Sequence, residues 1–175
     1  FYCERLDKLA NLMAEVKPTL MTAVPRLYEL LYGRITAQVA KGGAFKQWLF
    51  ETTLRLGNMP QLKPLDRILN TICERLVREK VRQRFGGRLQ YFVSGGAALN
   101  PEISRFFSGL GIGILQGYGQ TEASPVISVN RPGTARPETV GPALPDVQVK
   151  LSEEGELLVR GPNVMRGYWR DQEAT

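Results

Sequence analysis

The segment that most restricts the fold runs from residue 89 to residue 122. "LQYFVS" (89–94) is rich in aromatic and β-branched residues and reads as a strand. "GGAALN" follows, and Pro101 then opens a helix. Asn100 supplies an N-cap acceptor, and a proline at the first helical position lacks only an N–H that would have no intrahelical partner. Ile103, Phe106, Phe107 and Leu110 fall at i, i+3, i+4 and i+7, so the helix packs one face on a core. "IGILQ" (112–116) is the next strand. A crossover this long joins parallel neighbours, and the fold class is therefore α/β with a parallel-sheet core. In such a unit the loops after both strands open on one edge of the sheet, the edge at which open α/β sheets bind ligands.

Upstream, "TLMTAV" (19–24) predicts a short strand closed by Pro25, and "RLYELLYGRI" predicts a helix with Leu27, Leu30 and Leu31 on one face. "KGG" (41–43) interrupts, "AFKQWLFETTLRLG" predicts a second helix, and "NMPQLKP" is a loop with two prolines. The longest helical pattern is "LDRILNTICERLVREKVRQRF", with Leu69, Ile72, Leu76, Val77 and Phe85 expected on one stripe and Gly86-Gly87 as its stop. Downstream, "VQVKL" and "LLVRG" flank "SEEGE" as a β-hairpin. The expected organisation is strand and helix over 1–40, a basic helical insertion over 41–88, a ligand-site core over 89–130, and a hairpin with its loops over 131–175.

The composition excludes several chemistries. There is no histidine, which removes Ser-His-Asp and Cys-His nucleophiles and histidine-ligated metals together. Cys3 and Cys73 form neither a disulfide framework nor a zinc spacing, so a reducing cytoplasm is expected. No apolar run reaches the ~18 residues of a membrane span, and no signal-peptide pattern opens the chain. Ser94 lacks the preceding glycine of a nucleophile elbow. "GLGIGILQG" (109–117) has a helix before it and a strand after it, the reverse of a dinucleotide fingerprint.

The chemistry that remains sits on the two loops. "SGGAA" (94–98) and "GYGQTE" (117–122) share the carboxyl edge. Glycines allow backbone to approach a ligand. Tyr118 offers a face to a planar ring, Thr121 a hydroxyl to a phosphate, and Glu122 a hard oxygen that suits Mg²⁺. An adenylate fits this set. Each part also has a plainer reading: Gly95-Gly96 as a tight turn, Tyr118 as a core aromatic, Glu122 as a solvated charge.

"YFVSGGAALNPEI", "LQGYGQTEASPV", "TVGPALPDVQVKL" and "GELLVRGPNVMRGYW" resemble consecutive core motifs of the acyl-adenylate-forming (AMP-binding) enzymes, and most of all the long-chain fatty acid–CoA ligases. "VKPTLMTAVPRLYELL" (16–31) and the insertion add to the likeness. The resemblance implies two steps: a carboxylate attacks the α-phosphate of ATP to give acyl-AMP, and CoA then displaces AMP. It implies Tyr118 as the adenine-stacking residue, Thr121 as a phosphate contact, and Glu122 as the magnesium ligand. Gly95, Gly96 and Ala97 become the wall beside adenine and the acyl tunnel, with Gln116, Gly117 and Gly119 shaping the same pocket. Ala98 departs from the proline common in many relatives. The family's phosphate loop, its Thr-Gly-Asp and its C-terminal lysine domain are not found in these residues. The resemblance thus implies an internal piece of the large N-terminal domain that does not turn over alone. An adenylating ligase for another carboxylic acid and a non-catalytic lipid- or membrane-binding module are the competing readings.

Residues 41–90 hold eleven Lys/Arg against four Asp/Glu, a net +7, while the rest of the chain is at −1, which together give the overall +6. Arg75, Arg78, Lys80, Arg82, Arg84 and Arg88 crowd the end of the long helix. The plainer expectation is a solvated face that complements the helix dipole; the sharper one is peripheral contact with an anionic membrane surface. Nucleic acid is not expected, because aromatics are not interleaved with these charges.

Overall fold

In a computed structural model, which describes Cys3 and residues 8–175, the chain forms one mixed sheet covered by helices and a separate hairpin. The elements in order are α1 (Leu9–Val16), β1 (Leu20–Ala23), α2 (Pro25–Ala40), α3 (Ala44–Gly57), α4 (Pro64–Cys73), a π-helical turn (Glu74–Arg78) and α5 (Glu79–Arg84). Then come β2 (Tyr91–Ser94), α6 (Pro101–Gly109), β3 (Gly113–Gly119), β4 (Val126–Val129), β5 (Gln148–Leu151) and β6 (Leu157–Arg160). The main sheet has the order β1-β2-β3-β4. β1, β2 and β3 are parallel, with Ser94 paired to Ala23 on one side and Gln116 on the other. β5 and β6 form the expected hairpin.

The strand–helix–strand unit is as predicted. The Asn100 side chain accepts the Glu102 N–H at 2.9 Å, and Pro101 occupies the first turn of α6. Its apolar face meets β2: Phe107 lies 5.6 Å from Phe92, centroid to centroid, and Phe92 in turn touches Tyr28 of α2 at 5.0 Å and Phe85 at 5.7 Å. Phe92, Tyr28 and Phe107 are fully buried, and such burial stabilises by about 1.5–3 kcal/mol per large side chain. The Tyr28 hydroxyl donates to the Val93 carbonyl at 2.8 Å, and burial raises its pKa, so it stays a neutral donor.

Two expectations are corrected. The first is the single stripe on the long helix. Leu69 and Val77 pack inward and Phe85 is buried, but Ile72 and Leu76 are exposed. The residues facing the core are instead Leu69, Cys73, Val77, Val81 and Phe85, each four apart. A row spaced by four drifts about 40° per step on an α-helix of 3.6 residues per turn. The wider π turn at Glu74–Arg78 takes up part of that drift, and it leaves Ile72 and Leu76 on the solvent side.

The second correction concerns Arg78, which is not on a solvated face. It is 4% exposed. Its guanidinium donates to the carbonyls of Gly109 (2.8 Å) and Thr53 (2.9 Å), to Asn70 Oδ1 (2.9 Å) and to Glu74 Oε2 (3.3 Å). One side chain thereby ties α3, α4 and the carboxyl end of α6 together. Desolvation alone would raise the Glu74 carboxyl, but the hydrogen bonds and charges of Arg82 and Arg78 outweigh it and hold it below the usual carboxylate range.

Candidate functional site

β3 is longer than its sequence suggests. Gly113 to Gln116 pair with β2, and Gly117, Tyr118 and Gly119 continue the strand, paired antiparallel to Val129, Ser128 and Val126 of β4 with a bulge after Tyr118. The glycine-tyrosine-glycine stretch is therefore strand and not loop, because β4 supplies the ladder partners that β2 lacks beyond Ser94. It projects past the carboxyl end of β2, beside the Gly95–Ala98 loop. A cleft of about 390 Å³ opens there, lined by Gly96, Ala97, Gln116, Gly117, Gly119 and Thr139 among others. A larger cleft of about 670 Å³, at Arg88, Gln90 and Gly113, lies at the amino edge of the sheet and holds none of the predicted site residues. The carboxyl edge is the one on which loops from parallel strands converge.

The residues around the smaller cleft divide by role. Gln116 is buried, and both ends of its amide are used: Oε1 accepts the Leu99 N–H at 2.9 Å, and Nε2 donates to the Pro137 carbonyl at 2.9 Å. It acts as a strut between the Gly95–Ala98 loop and the 131–140 loop. Asn130 does the same work within that loop, donating to the carbonyls of Thr139 (2.6 Å) and Arg136 (3.3 Å) and accepting the Arg136 N–H (3.1 Å). Sequence reasoning passed over Asn130 and the 131–140 wall. The proline and glycine density of "NRPGTARPETVGP" is the signal that marks it as a built loop.

Beside Gly95 a Cβ would meet nothing nearer than the Gly117 carbonyl, at 4.0 Å, and Gly96 has φ +85°. The space in front of this turn is open to a ligand. Gly119 is different, since a Cβ there would lie 1.7 Å from the Pro125 carbonyl oxygen. That carbonyl also accepts the Gln120 N–H at 2.7 Å. Gly119 therefore serves the approach of Pro125, which fixes where Thr121 and Glu122 begin. A Gly119→Ala variant is expected to lose about 1–3 kcal/mol or more through overpacking, read as a fall in the denaturant midpoint. An unchanged midpoint would show that the β3–β4 connection relaxes freely.

Tyr118, Thr121 and Glu122 do not line the cleft but follow from it along the chain. Tyr118 is 40% exposed and two residues from Gln116, so the two share a strand face. Thr121–Ala123 is a 3₁₀ turn closed by Ser124 in the left-handed region. Glu122 is half-buried, and its Oε1 accepts a hydrogen bond from the Tyr168 hydroxyl. That bond holds the Glu122 carboxyl below its ordinary pKa and raises the tyrosine's. Among the described residues no group of three or more His, Cys, Asp or Glu gathers into a metal cage. A single accessible carboxylate still fits Mg²⁺, which keeps several waters and takes its other oxygens from substrate phosphates. Glu122 would hold it, and the ion would neutralise phosphate charge when bound.

Residues 3–169 match the family of the AMP-binding enzyme. The chain belongs to the AMP-binding enzyme family. Among curated relatives, the long-chain-fatty-acid–CoA ligase FadD15 of Mycobacterium bovis is 32% identical over 177 residues, covering 97% of this chain and 29% of its own length. Long chain acyl-CoA synthetase 7, peroxisomal, of Arabidopsis thaliana is 33% identical over 190 residues, covering 100% of this chain and 27% of its own. The chain thus spans less than a third of the length of these relatives. A solved benzoate CoA ligase from Burkholderia xenovorans LB400 superposes with a TM-score of 0.58 at 22% identity, over 95% of this chain and 27% of that one, a likeness of fold alone. Family and α/β fold both agree with the motif-based expectation. No helix among the described residues is long and apolar enough to cross a membrane.

Proposed function

We propose that the full-length protein activates a long-chain fatty acid, first to acyl-AMP at the expense of ATP and then to acyl-CoA. The observation that carries this reading is the carboxyl edge of the sheet, where the cleft beside Gly96, Gln116, Gly117 and Gly119 opens and the chain runs on from it through the exposed ring of Tyr118, the hydroxyl of Thr121 and the accessible carboxylate of Glu122. Adenylyl transfer asks a protein mainly for positioning and charge stabilisation, which suits a site without histidine. In this reading Tyr118 stacks on adenine, Thr121 contacts phosphate, and Gly95, Gly96 and Ala97 form the wall between nucleotide and acyl chain. Gln116 and Gly117 hold that wall in place, and Gly119 lets Pro125 come close enough to set the turn that carries Thr121 and Glu122. The long-chain preference rests on the relatives, two of which carry long-chain fatty acid or acyl substrates in their names. The test is fatty-acid-dependent AMP release by the full-length protein with ATP, Mg²⁺ and CoA, over acids of increasing length. A maximum at long chains is expected. AMP release with an aryl or medium-chain acid instead would move the substrate and keep the chemistry. No AMP with any acid, from folded protein, would end the ligase reading.

A second reading concerns the insertion, and one observation favours it. Leu65, Ile68, Ile72 and Leu76 are 82%, 65%, 43% and 44% exposed. At 100° per residue Leu65, Ile68 and Ile72 occupy one arc of about 60° on α4, and Leu76 follows four residues after Ile72 in the π-helical turn. Arg75 and Lys80 lie exposed nearby, in a segment of net +7 over residues 41–90. An apolar stripe flanked by cations suits a helix lying in the headgroup plane of an anionic bilayer, where each basic residue adds about 1 kcal/mol. Full-length protein should bind phosphatidylserine-containing vesicles in a salt-sensitive way, and Ile68→Glu should weaken that binding by about tenfold or more, given ~1.5–3 kcal/mol for a buried Ile. Equal binding to neutral vesicles, or an Ile68→Glu variant that binds as before, would remove this reading. Vesicle binding without AMP release would point to a lipid-surface module.

A further inference from the structure

We propose that Tyr168 is a positioning residue for the Glu122 carboxylate, holding it in the orientation that receives the metal–nucleotide. The proposal rests on the reading of Glu122 as the metal-holding group and extends it to a residue 46 positions away in sequence. Glu122 stands on a three-residue 3₁₀ turn, next to residues in no regular element. Alone, so short a turn leaves a glutamate free about its side-chain torsions, and ordering such a side chain costs conformational entropy. The segment after β6 holds the backbone around Glu122 through two residues and its side chain through a third. The Met165 N–H donates to the Glu122 carbonyl at 2.8 Å. The Asn163 amide donates to the carbonyls of Ala123 (3.2 Å), the last residue of the turn, and Val126 (3.0 Å), where β4 begins. The Tyr168 hydroxyl then takes Oε1 of the carboxylate itself.

Tyr168 is held in its turn. Its N–H donates to Thr175 Oγ1 at 2.9 Å, and that hydroxyl donates to the Asp171 carbonyl at 2.6 Å. Tyr168 and Asp171 also form an antiparallel bridge. The phenol, 41% exposed, therefore reaches Glu122 from a residue whose backbone N–H and carbonyl are both hydrogen-bonded. A hydroxyl donor leaves the negative charge on the carboxylate, so the group stays competent to bind a cation while its direction is set. Groups that orient a metal-binding side chain commonly carry 10- to 100-fold of metal affinity.

The experiment is a titration of the full-length protein with Mn²⁺ as probe, in the presence of saturating α,β-methylene ATP. Wild type is compared with Glu122→Gln, Tyr168→Phe and the double variant, each also scored for thermal midpoint and for nucleotide binding without metal. Tyr168→Phe should weaken Mn²⁺ binding by about tenfold, with metal-free nucleotide binding and thermal midpoint unchanged. The double variant should be no weaker than Glu122→Gln alone, because two residues acting on one contact are not additive. Wild-type metal affinity in Tyr168→Phe, beside a weakened Glu122→Gln, would overturn the positioning role and leave the Glu122 reading intact. Wild-type affinity in Glu122→Gln would overturn both. A Tyr168→Phe variant that loses metal-free nucleotide binding and thermal stability together would reduce the tyrosine to a structural contact.

Discussion

Glu122→Gln in the full-length protein is expected to lower AMP release by about 10²–10³, the range seen when one preorganised electrostatic contact to the reacting centre is lost. The substitution is nearly isosteric, and a glutamine oxygen still accepts the Tyr168 hydroxyl, so the 3₁₀ turn and its clamp at Asn163 and Met165 stay formed. What disappears is the charge. Mg²⁺ retains its waters reluctantly shed and binds through one or two carboxylates, and the described residues offer no cluster of alternatives. The loss should therefore fall on turnover and on metal dependence, with the thermal midpoint unmoved. Turnover within a few-fold of wild type would mean that Glu122 is a solvated surface charge, the plainer reading of its position.

Arg78→Ala is expected to be the most destabilising single change in the insertion, by about 3–5 kcal/mol, as for breaking a buried charged network. The arginine is 4% exposed, and its removal strips donors from the carbonyls of Gly109 and Thr53 and opens a void between α3 and α6. At ~2–4 °C per kcal/mol for a domain of 150–250 residues, the thermal midpoint should fall by about 6–20 °C. Arg78→Lys should recover only part of this, since a single ammonium does not reproduce a planar fork with four partners. The same network predicts acid sensitivity. Because Arg82 and Arg78 lower the Glu74 carboxyl below its ordinary value, their contribution is present above the unfolded-state pKa and is lost as pH falls through the lowered one. A midpoint unchanged in Arg78→Ala would show that water replaces the guanidinium without cost.

Much of the core was legible because its signals are local. Asn100 before Pro101 marks a helix start wherever it occurs, and the spacing of Ile103, Phe106, Phe107 and Leu110 dictates a face without knowledge of the partner. α3 begins at Ala44 and ends at Gly57, the bounds read from the pattern. α1 was not legible. Its N-cap position is Lys8, with no side-chain cap, and only two of its residues, Leu9 and Met13, are buried. The antiparallel half of β3 reads as loop in the sequence because a glycine-tyrosine-glycine stretch carries little strand propensity; the ladder from β4 makes it a strand.

The sequence by itself determined the parallel unit, the edge on which its loops meet, and the residue types placed there, because periodicity and capping act within a few residues. Only the tertiary structure decided which of those residues face a ligand and which serve the protein. Gln116 is spent between Leu99 and Pro137, Gly119 yields to Pro125, and Arg78 leaves the solvated face for three carbonyl and amide oxygens and a carboxylate. Tyr168 meets Glu122 across 46 residues. Such contacts depend on where separate elements pack, and no local pattern along the chain encodes that distance.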